Sequence, residues 1–251
     1  MFHTIMLFVR IFIFHLHRKC YIPTSQSQDQ FGFHKNLSTD AASSNLIDSI
    51  LHAFNDNLTV GGIFCDLTKA SDSVNHSFLL SKLEYYGITD HAFRLIKSYL
   101  ADRYQRVLIK DPHSTNYFSS WNKIKLGVPQ GSILGPLLFL LFINDMPGYI
   151  DKLYPTNNLY KITLFVDDTS IIFTHPNQME FEKEFNNLFS NITRWFQINS
   201  LSINFNKTHY MDFQPSSNAK KHVNKDFKIK HINKVCSTNF LGLMLNSTLS
   251  W

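Results

Sequence analysis

The chain has 251 residues, 44% of them hydrophobic and 17% charged, and its 24 Lys and Arg outnumber 19 Asp and Glu for a net charge of +5. This is enough apolar material to bury a core in one large or two small domains. The basic balance, with a pI near 9.0, suits a phosphate-rich partner, and the spacing of Cys20, Cys65 and Cys236 excludes a disulfide framework or a paired-cysteine zinc site.

In chain order, Met6–Phe14 is apolar except for Arg10 and is followed by His15, His17, Arg18 and Lys19. The run is shorter than the about 20 residues of a membrane span. Its charge also lies on the wrong side for a signal peptide. The expectation is an intracellular protein, nuclear or cytoplasmic, neither secreted nor membrane-bound. Tyr21–Gln30 reads as a loop. Asp40–Asn55 is a helix with Leu46, Ile47, Ile50, Leu51 and Phe54 on one face. Val60–Asp66 is a short buried strand ending in an acid. Ser71–Ser73 offers caps for a helix over Val74–Tyr86, stopped at Gly87. His91–Leu100 is a further helix, and Gln105–Ile109 and Asn116–Lys125 read as strands.

Gly127–Gly131 is a loop that enters an apolar helix, Ser132–Asp145, with Pro147 beyond its end. Ile162–Val166 and Thr169–Phe173 form a hairpin with Asp167 and Asp168 at its tip. Met179–Asn199 is a long amphipathic helix. Ser202–Asn204 and Thr208–Phe213 are expected to pair as strands, Pro215–Lys225 is a loop, and Phe227–Ile232 and Phe240–Leu245 are final strands. Helices and hairpins mixed in this order favour an α+β fold over a doubly wound sheet.

Three carboxylates stand out by their apolar surroundings. Asp66 ends Gly62-Ile63-Phe64-Cys65, and Asp167-Asp168 lies between Leu164-Phe165-Val166 and Thr169-Ser170-Ile171-Ile172-Phe173. Ionised acids beside buried strands are costly unless a cation or donor neutralises them. Hard divalent cations such as Mg²⁺ take oxygen ligands of this kind. Taken alone, an ordinary polar turn and strand end accounts for the same residues.

The flanking residues point further. Phe64-Cys65-Asp66-Leu67-Thr68-Lys69-Ala70-Ser71-Asp72-Ser73-Val74-Asn75-His76 resembles motif A of the reverse transcriptases of non-LTR, jockey-like retrotransposons. Gly127-Val128-Pro129-Gln130-Gly131-Ser132-Ile133-Leu134-Gly135-Pro136, with its tail to Pro147, resembles their motif B. Phe165-Val166-Asp167-Asp168-Thr169 resembles motif C, Leu201 to Thr208 motif D, and Phe240-Leu241-Gly242-Leu243 motif E. Gln30-Phe31-Gly32-Phe33-His34-Lys35-Asn36 resembles a fingers motif. The matches run in family order from Gln30 to Trp251.

The resemblance implies a right-hand polymerase palm, a ferredoxin-like antiparallel sheet with packed helices, plus partial fingers and no thumb. It implies 1–29 as a poorly matched segment and 30–251 as the domain. Within that domain, 30–60 and about 75–125 would be fingers and palm, 60–74 and 126–213 palm, and 226–251 the palm–thumb junction. The activity implied is RNA-directed DNA polymerisation with an RNA template, a DNA primer and dNTPs. Two Mg²⁺ ions, or Mn²⁺, would be held by Asp66, Asp167, Asp168 and the backbone carbonyl of Leu67, and no other small-molecule cofactor is implied. Lys207 matches the lysine that can protonate departing pyrophosphate. Ser71, Gly127, Pro129, Gln130 and Gly131, with His34 and Lys35, stand at positions that contact nucleotide or template. Asp72 reads as a helix cap, Asn75 and His76 as structural, Ile133–Phe142 as core, and Phe240–Leu243 as either primer grip or core strand.

The chain departs from the family in three places. Ser71 stands where a Phe or Tyr gate against the ribose 2′-hydroxyl is usual, and such exclusion works by bulk. His34 and Leu37 stand where arginines are usual, and neither replaces a permanent charge on phosphate. The earlier fingers motif, Y-R-P-I-S, is missing. These losses keep open a catalytically inactive remnant that retains the fold and weak nucleic-acid binding. A maturase or a viral RNA-templated RNA polymerase is a further alternative, though the latter usually has Gly where Val166 stands.

Overall fold

The computed structural model describes residues 29–32, 37–111, 116–155, 159–215, 229 and 232–249. The expectations at Met6–Phe14, His34, Lys35 and most of Phe227–Ile232 lie outside the described residues. In chain order the elements are α1 (Thr39–Asn55), β1 (Thr59–Cys65), α2 (His76–Tyr85), α3 (Asp90–Leu100), β2 (Tyr104–Gln105), β3 (Leu108–Ile109), β4 (Tyr117–Phe118) and β5 (Asn122–Lys123). There follow α4 (Leu134–Ile143), α5 (Met146–Leu153), β6 (Tyr160–Phe165), β7 (Asp168–His175), α6 (Gln178–Ile198), β8 (His209–Phe213), β9 (Asn233–Lys234), β10 (Ser237–Phe240) and β11 (Leu243–Asn246). The described residues divide into two units, those of 26–70 and 143–251 in one and those of 71–142 in the other.

The first unit is organised on β1. It sits at the centre of a five-stranded sheet of order β6-β7-β1-β8-β9, antiparallel except for β8 and β9. Residues of β1 alternate between two covered faces. Val60 and Phe64 join Ile172, Met211 and Phe213 in a core with Leu46, Ile50 and Ala53 of α1 and with Phe240 and Leu245 of the β10–β11 hairpin. On the opposite face, a Cβ at Gly61 would stand 2.7 Å from Phe181 and 3.1 Å from Phe185, both of α6. Helices on both faces explain why β1 reads as a continuous apolar run rather than an alternating one.

α6 buries Phe181, Phe185, Leu188, Ile192 and Trp195, at steps of four and three residues, as a helical stripe requires. Its start is capped by Asn177, whose side chain accepts from the Met179 N–H. Ser38 does the same for α1 through the Ala41 N–H.

The second unit carries α2 and α3, then two small ribbons, β2–β5 and β3–β4, and the loop into α4. Leu79 and Leu83 of α2 and Ile96 and Leu100 of α3 are buried.

Several expectations are corrected. The cap of α2 is Asn75, which accepts from the Ser77 and Phe78 N–H groups, so neither Ser71–Ser73 nor Asp72 caps it. The predicted helix Ser132–Asp145 is shorter, and Pro147 lies in the first turn of a new helix, α5, rather than beyond a stop. Ile133 is exposed at 55%, not core. Ser202–Asn204 does not pair with Thr208–Phe213; Ile203 instead bridges Leu67. Phe240–Leu245 is not one strand but crosses a turn at Leu241 and Gly242, both left-handed, between β10 and β11.

Candidate active site

Register brings the three acids to one end of the sheet. Phe64 pairs with Ser170 and Cys65 with Thr169, so Asp66 follows the last pair beside the start of β7, where Asp168 stands. Residues 64 and 66, and 168 and 170, share a face by strand alternation. Phe165 pairs with Asp168, which leaves Val166 and Asp167 as a two-residue turn. Val166 takes a φ of 59° while Asp167 stays negative, the sign pattern of a type II′ hairpin turn. A β-branched residue rarely occupies that region, so the turn is strained and must be held by its surroundings.

The charges interact. Burial holds the Asp168 carboxyl above its usual range, and the negative charges of Asp167 and Asp66 push it the same way. Lys207 Nζ lies 3.9 Å from Asp66 Oδ2, both side chains being partly or largely exposed. The expected proton donor therefore stands beside a carboxylate of the cluster.

Backbone contacts fix Asp66. Its N–H donates to Thr208 Oγ1 at 3.1 Å, and its carbonyl accepts from the Asn204 N–H at 2.8 Å. The Thr68 N–H donates to Ser202 O at 2.8 Å. These two bonds flank the Leu67–Ile203 bridge, so Leu67's own carbonyl points away from Ile203, toward the β7 side. Beneath the turn, the buried Gln30 side chain accepts from the Gly32 N–H at 2.8 Å and from the Val166 N–H at 3.4 Å.

The other predicted residues gather in the second unit. The Val128 N–H donates to Ser71 O and the Gly127 N–H to Val74 O, each at 2.8 Å. Gln130 Nε2 donates to Asp72 Oδ1 at 2.9 Å, and His76 Nε2 donates to Gly127 O at 2.8 Å. Gly127 has a φ of 83°, and a Cβ there would stand 2.9 Å from both Cα and O of Asp72, so only glycine fits. Pro129 O accepts from the Ser132 hydroxyl at 2.6 Å, and Gln130 and Gly131 form the exposed turn before α4. The residues quoted for motif A's tail and for motif B are thus locked together. Leu37, at an expected arginine position, is exposed, while Phe240 is a core residue.

Sequence reasoning gave no role to Thr208 or to Gln30. Both are polar and buried, and both were in quoted motifs, which was the available signal.

Among the described residues no three carboxylate, imidazole or thiol groups close into a cage for one ion. The donor set still fits Mg²⁺, which takes one or two carboxylates with substrate phosphates rather than an all-protein cage. The mutual repulsion registered at Asp168 is what a cation would relieve.

The chain is similar to known proteins in sequence and in fold. The family described as reverse transcriptase (RNA-dependent DNA polymerase) matches residues 11–245. A probable RNA-directed DNA polymerase from transposon BS of Drosophila melanogaster is 31% identical over 187 residues, 71% of this chain and 19% of its own length. One from transposon X-element of the same species is 28% identical over 186 residues, 74% of this chain and 20% of its own. This chain therefore spans about a fifth of those relatives. Among solved structures, apo telomerase from Candida tropicalis superposes with a TM-score of 0.63 at 14% identity, over 99% of this chain and 40% of that one. Telomerase from Candida albicans, in complex with a fragment of telomeric RNA, gives 0.62 at 16% identity over 95% and 37%. These structures establish the likeness of fold, an α+β polymerase palm, and with the family match they place the chain: it belongs to the reverse transcriptase family.

Proposed function

We propose that this chain is the RNA-directed DNA polymerase domain of a non-LTR retrotransposon, joining dNTPs to a primer 3′-hydroxyl on an RNA template. The observation that carries the reading is the meeting of Asp66, at the end of β1, with Asp167 and Asp168 at the β6–β7 turn. Asp66, Asp167, Asp168 and the carbonyl of Leu67 would hold two Mg²⁺ ions. When bound, such a pair neutralises charge on the attacking and leaving oxygens of phosphoryl transfer.

The protein's own contribution is positioning. Thr208 and Asn204 fix the backbone of Asp66, and the narrow hairpin fixes Asp167 against Asp168. Lys207 holds a proton at Nζ for the departing pyrophosphate, and its exposure lets it swing from Asp66. Ser71 and Gln130 are assigned to the nucleotide on the strength of the resemblance. RNA, primer and dNTPs are the partners this reading requires. A template RNA and dNTPs are met inside the cell, and we place the activity there. No described helix is long and apolar enough to cross a membrane.

Primer extension on an RNA template with Mg²⁺ tests the reading, with Asp167→Asn as control. Extension that the substitution abolishes supports it. A folded wild-type chain that extends nothing under Mg²⁺ or Mn²⁺ leaves the inactive-remnant reading standing instead.

A further inference from the structure

We infer that Gln30 is a positioning residue for the metal-binding turn, and that its side-chain carbonyl, by holding the Val166 N–H, sets the carboxylates of Asp167 and Asp168. The segment 29–32 lies along the open edge of β6, the outermost strand of the sheet. There the Leu164 N–H donates to Asp29 O at 2.7 Å, the Phe31 N–H donates to Leu164 O at 2.9 Å, and Lys161 pairs with Asp29 at 3.2 Å. Gln30 forms a parallel bridge with Leu164 and is 5% exposed. Its Oε1 accepts from Gly32 and Val166 together. A Cβ at Gly32 would stand 2.7 Å from the Val166 nitrogen and 2.8 Å from its Cγ2, so the segment is pressed against the turn.

Two observations separate this from ordinary packing. The bond from Val166 reaches the residue with the left-handed φ of 59°, the strained point of the hairpin. Strain of that kind persists only where neighbours over-determine it. The Gln30 Nε2, meanwhile, is buried with no hydrogen-bond partner among the described residues. A buried donor left unpaired is a cost that an apolar side chain of the same size would avoid. A glutamine selected only to fill space would be a poor choice, whereas one needed for its carbonyl carries the amide nitrogen as a consequence.

The test compares the wild-type chain with Gln30→Met and Gln30→Glu. Methionine keeps the volume and removes both acceptor and orphan donor; glutamate keeps an acceptor at the same reach. Gln30→Met should lower the thermal midpoint, because the Gly32 and Val166 N–H groups lose their shared acceptor, while amide hydrogen exchange at Val166 accelerates roughly fivefold or more, the size of one net hydrogen bond. Gln30→Glu should restore protection at Val166. On poly(rA)–oligo(dT) with Mg²⁺, Gln30→Met should lower kcat and leave the KM for dTTP unchanged. Unchanged exchange at Val166 in Gln30→Met, or acceleration spread evenly over β1 and β7, overturns the inference. If Gln30→Met does not fold, Gln30→Glu decides: protection at Val166 supports the role, and its loss overturns it. The kcat arm rests on the polymerase reading. A wild-type chain that extends no primer defeats that reading, and the exchange arm still judges Gln30.

Discussion

Thr208, just before β8, grips the peptide of Asp66 across 142 residues of sequence: its hydroxyl accepts from the Asp66 N–H at 3.1 Å and lies 3.5 Å from the Asp66 carbonyl as donor. Thr208 is 1% exposed, so no water can substitute for it. Thr208→Val keeps the shape and removes the hydroxyl. It should cost about 1–3 kcal/mol, the penalty of a buried N–H left unpaired, in urea denaturation. Primer extension should fall with it, because the carboxylate of Asp66 loses its fixed base. Unchanged stability would show that the hydroxyl is idle.

Asp168→Asn separates charge repulsion from catalysis. The folded carboxyl titrates above its ordinary value of 3.8, first through burial and then through Asp167 and Asp66. An acid raised in this way favours the folded state when protonated; the advantage is full below the unfolded value and is lost as pH rises through the folded one. Without divalent cations, Asp168→Asn should therefore raise the thermal midpoint at neutral pH. The gain should shrink as pH falls toward the ordinary carboxylate range. Mg²⁺ should raise the midpoint of the wild type and much less that of the variant. A gain independent of pH would deny that burial and the neighbouring charges raise this carboxyl.

Gly127→Ala should be among the more damaging single-methyl additions in the second unit. The new Cβ meets backbone atoms of Asp72 at 2.9 Å, and the φ of 83° is unsuited to a side chain. A loss of about 1–3 kcal/mol is expected for such a strained residue. The displacement should also break the Gln130–Asp72 bond, and on the polymerase reading raise the KM for dNTP. Calorimetry and steady-state kinetics read the two effects separately.

Ser71→Phe tests the missing gate. The hydrogen bond from the Val128 N–H goes to the Ser71 backbone carbonyl, so the side chain can change without removing it. Ribonucleotide incorporation relative to dNTP should fall in the variant. Equal ribonucleotide use in both forms would assign discrimination to other residues.

How much of this was legible in the sequence depended on distance along the chain. The α6 stripe of Phe181, Phe185, Leu188 and Ile192 is a local period, and the helix lies within one residue of its expected ends. The β6–β7 hairpin is legible from two apolar runs and a pair of acids, but its turn is Val166–Asp167 rather than Asp167–Asp168, and Asp168 opens β7. Pro147 misled because proline both follows a helix and begins one, and only the backbone decides between them. Ile203 was given a near neighbour for a partner, but it bridges Leu67 across well over a hundred residues. The Thr208–Asp66 and Gln30–Val166 bonds span 142 and 136 residues. No period or spacing encodes such contacts; they exist only once the sheet has closed.

Cys65 immediately precedes Asp66, lies fully inside the sheet, and has its thiol pushed up to about 12 by burial. The thiolate is the reactive form, so alkylating reagents should find Cys65 inert until β1 parts from β7 and β8. The exposed Cys236 supplies an internal standard for reagent strength. The chain thus carries its own clock: the lag between the two labelling rates times the opening of the strand that ends in Asp66.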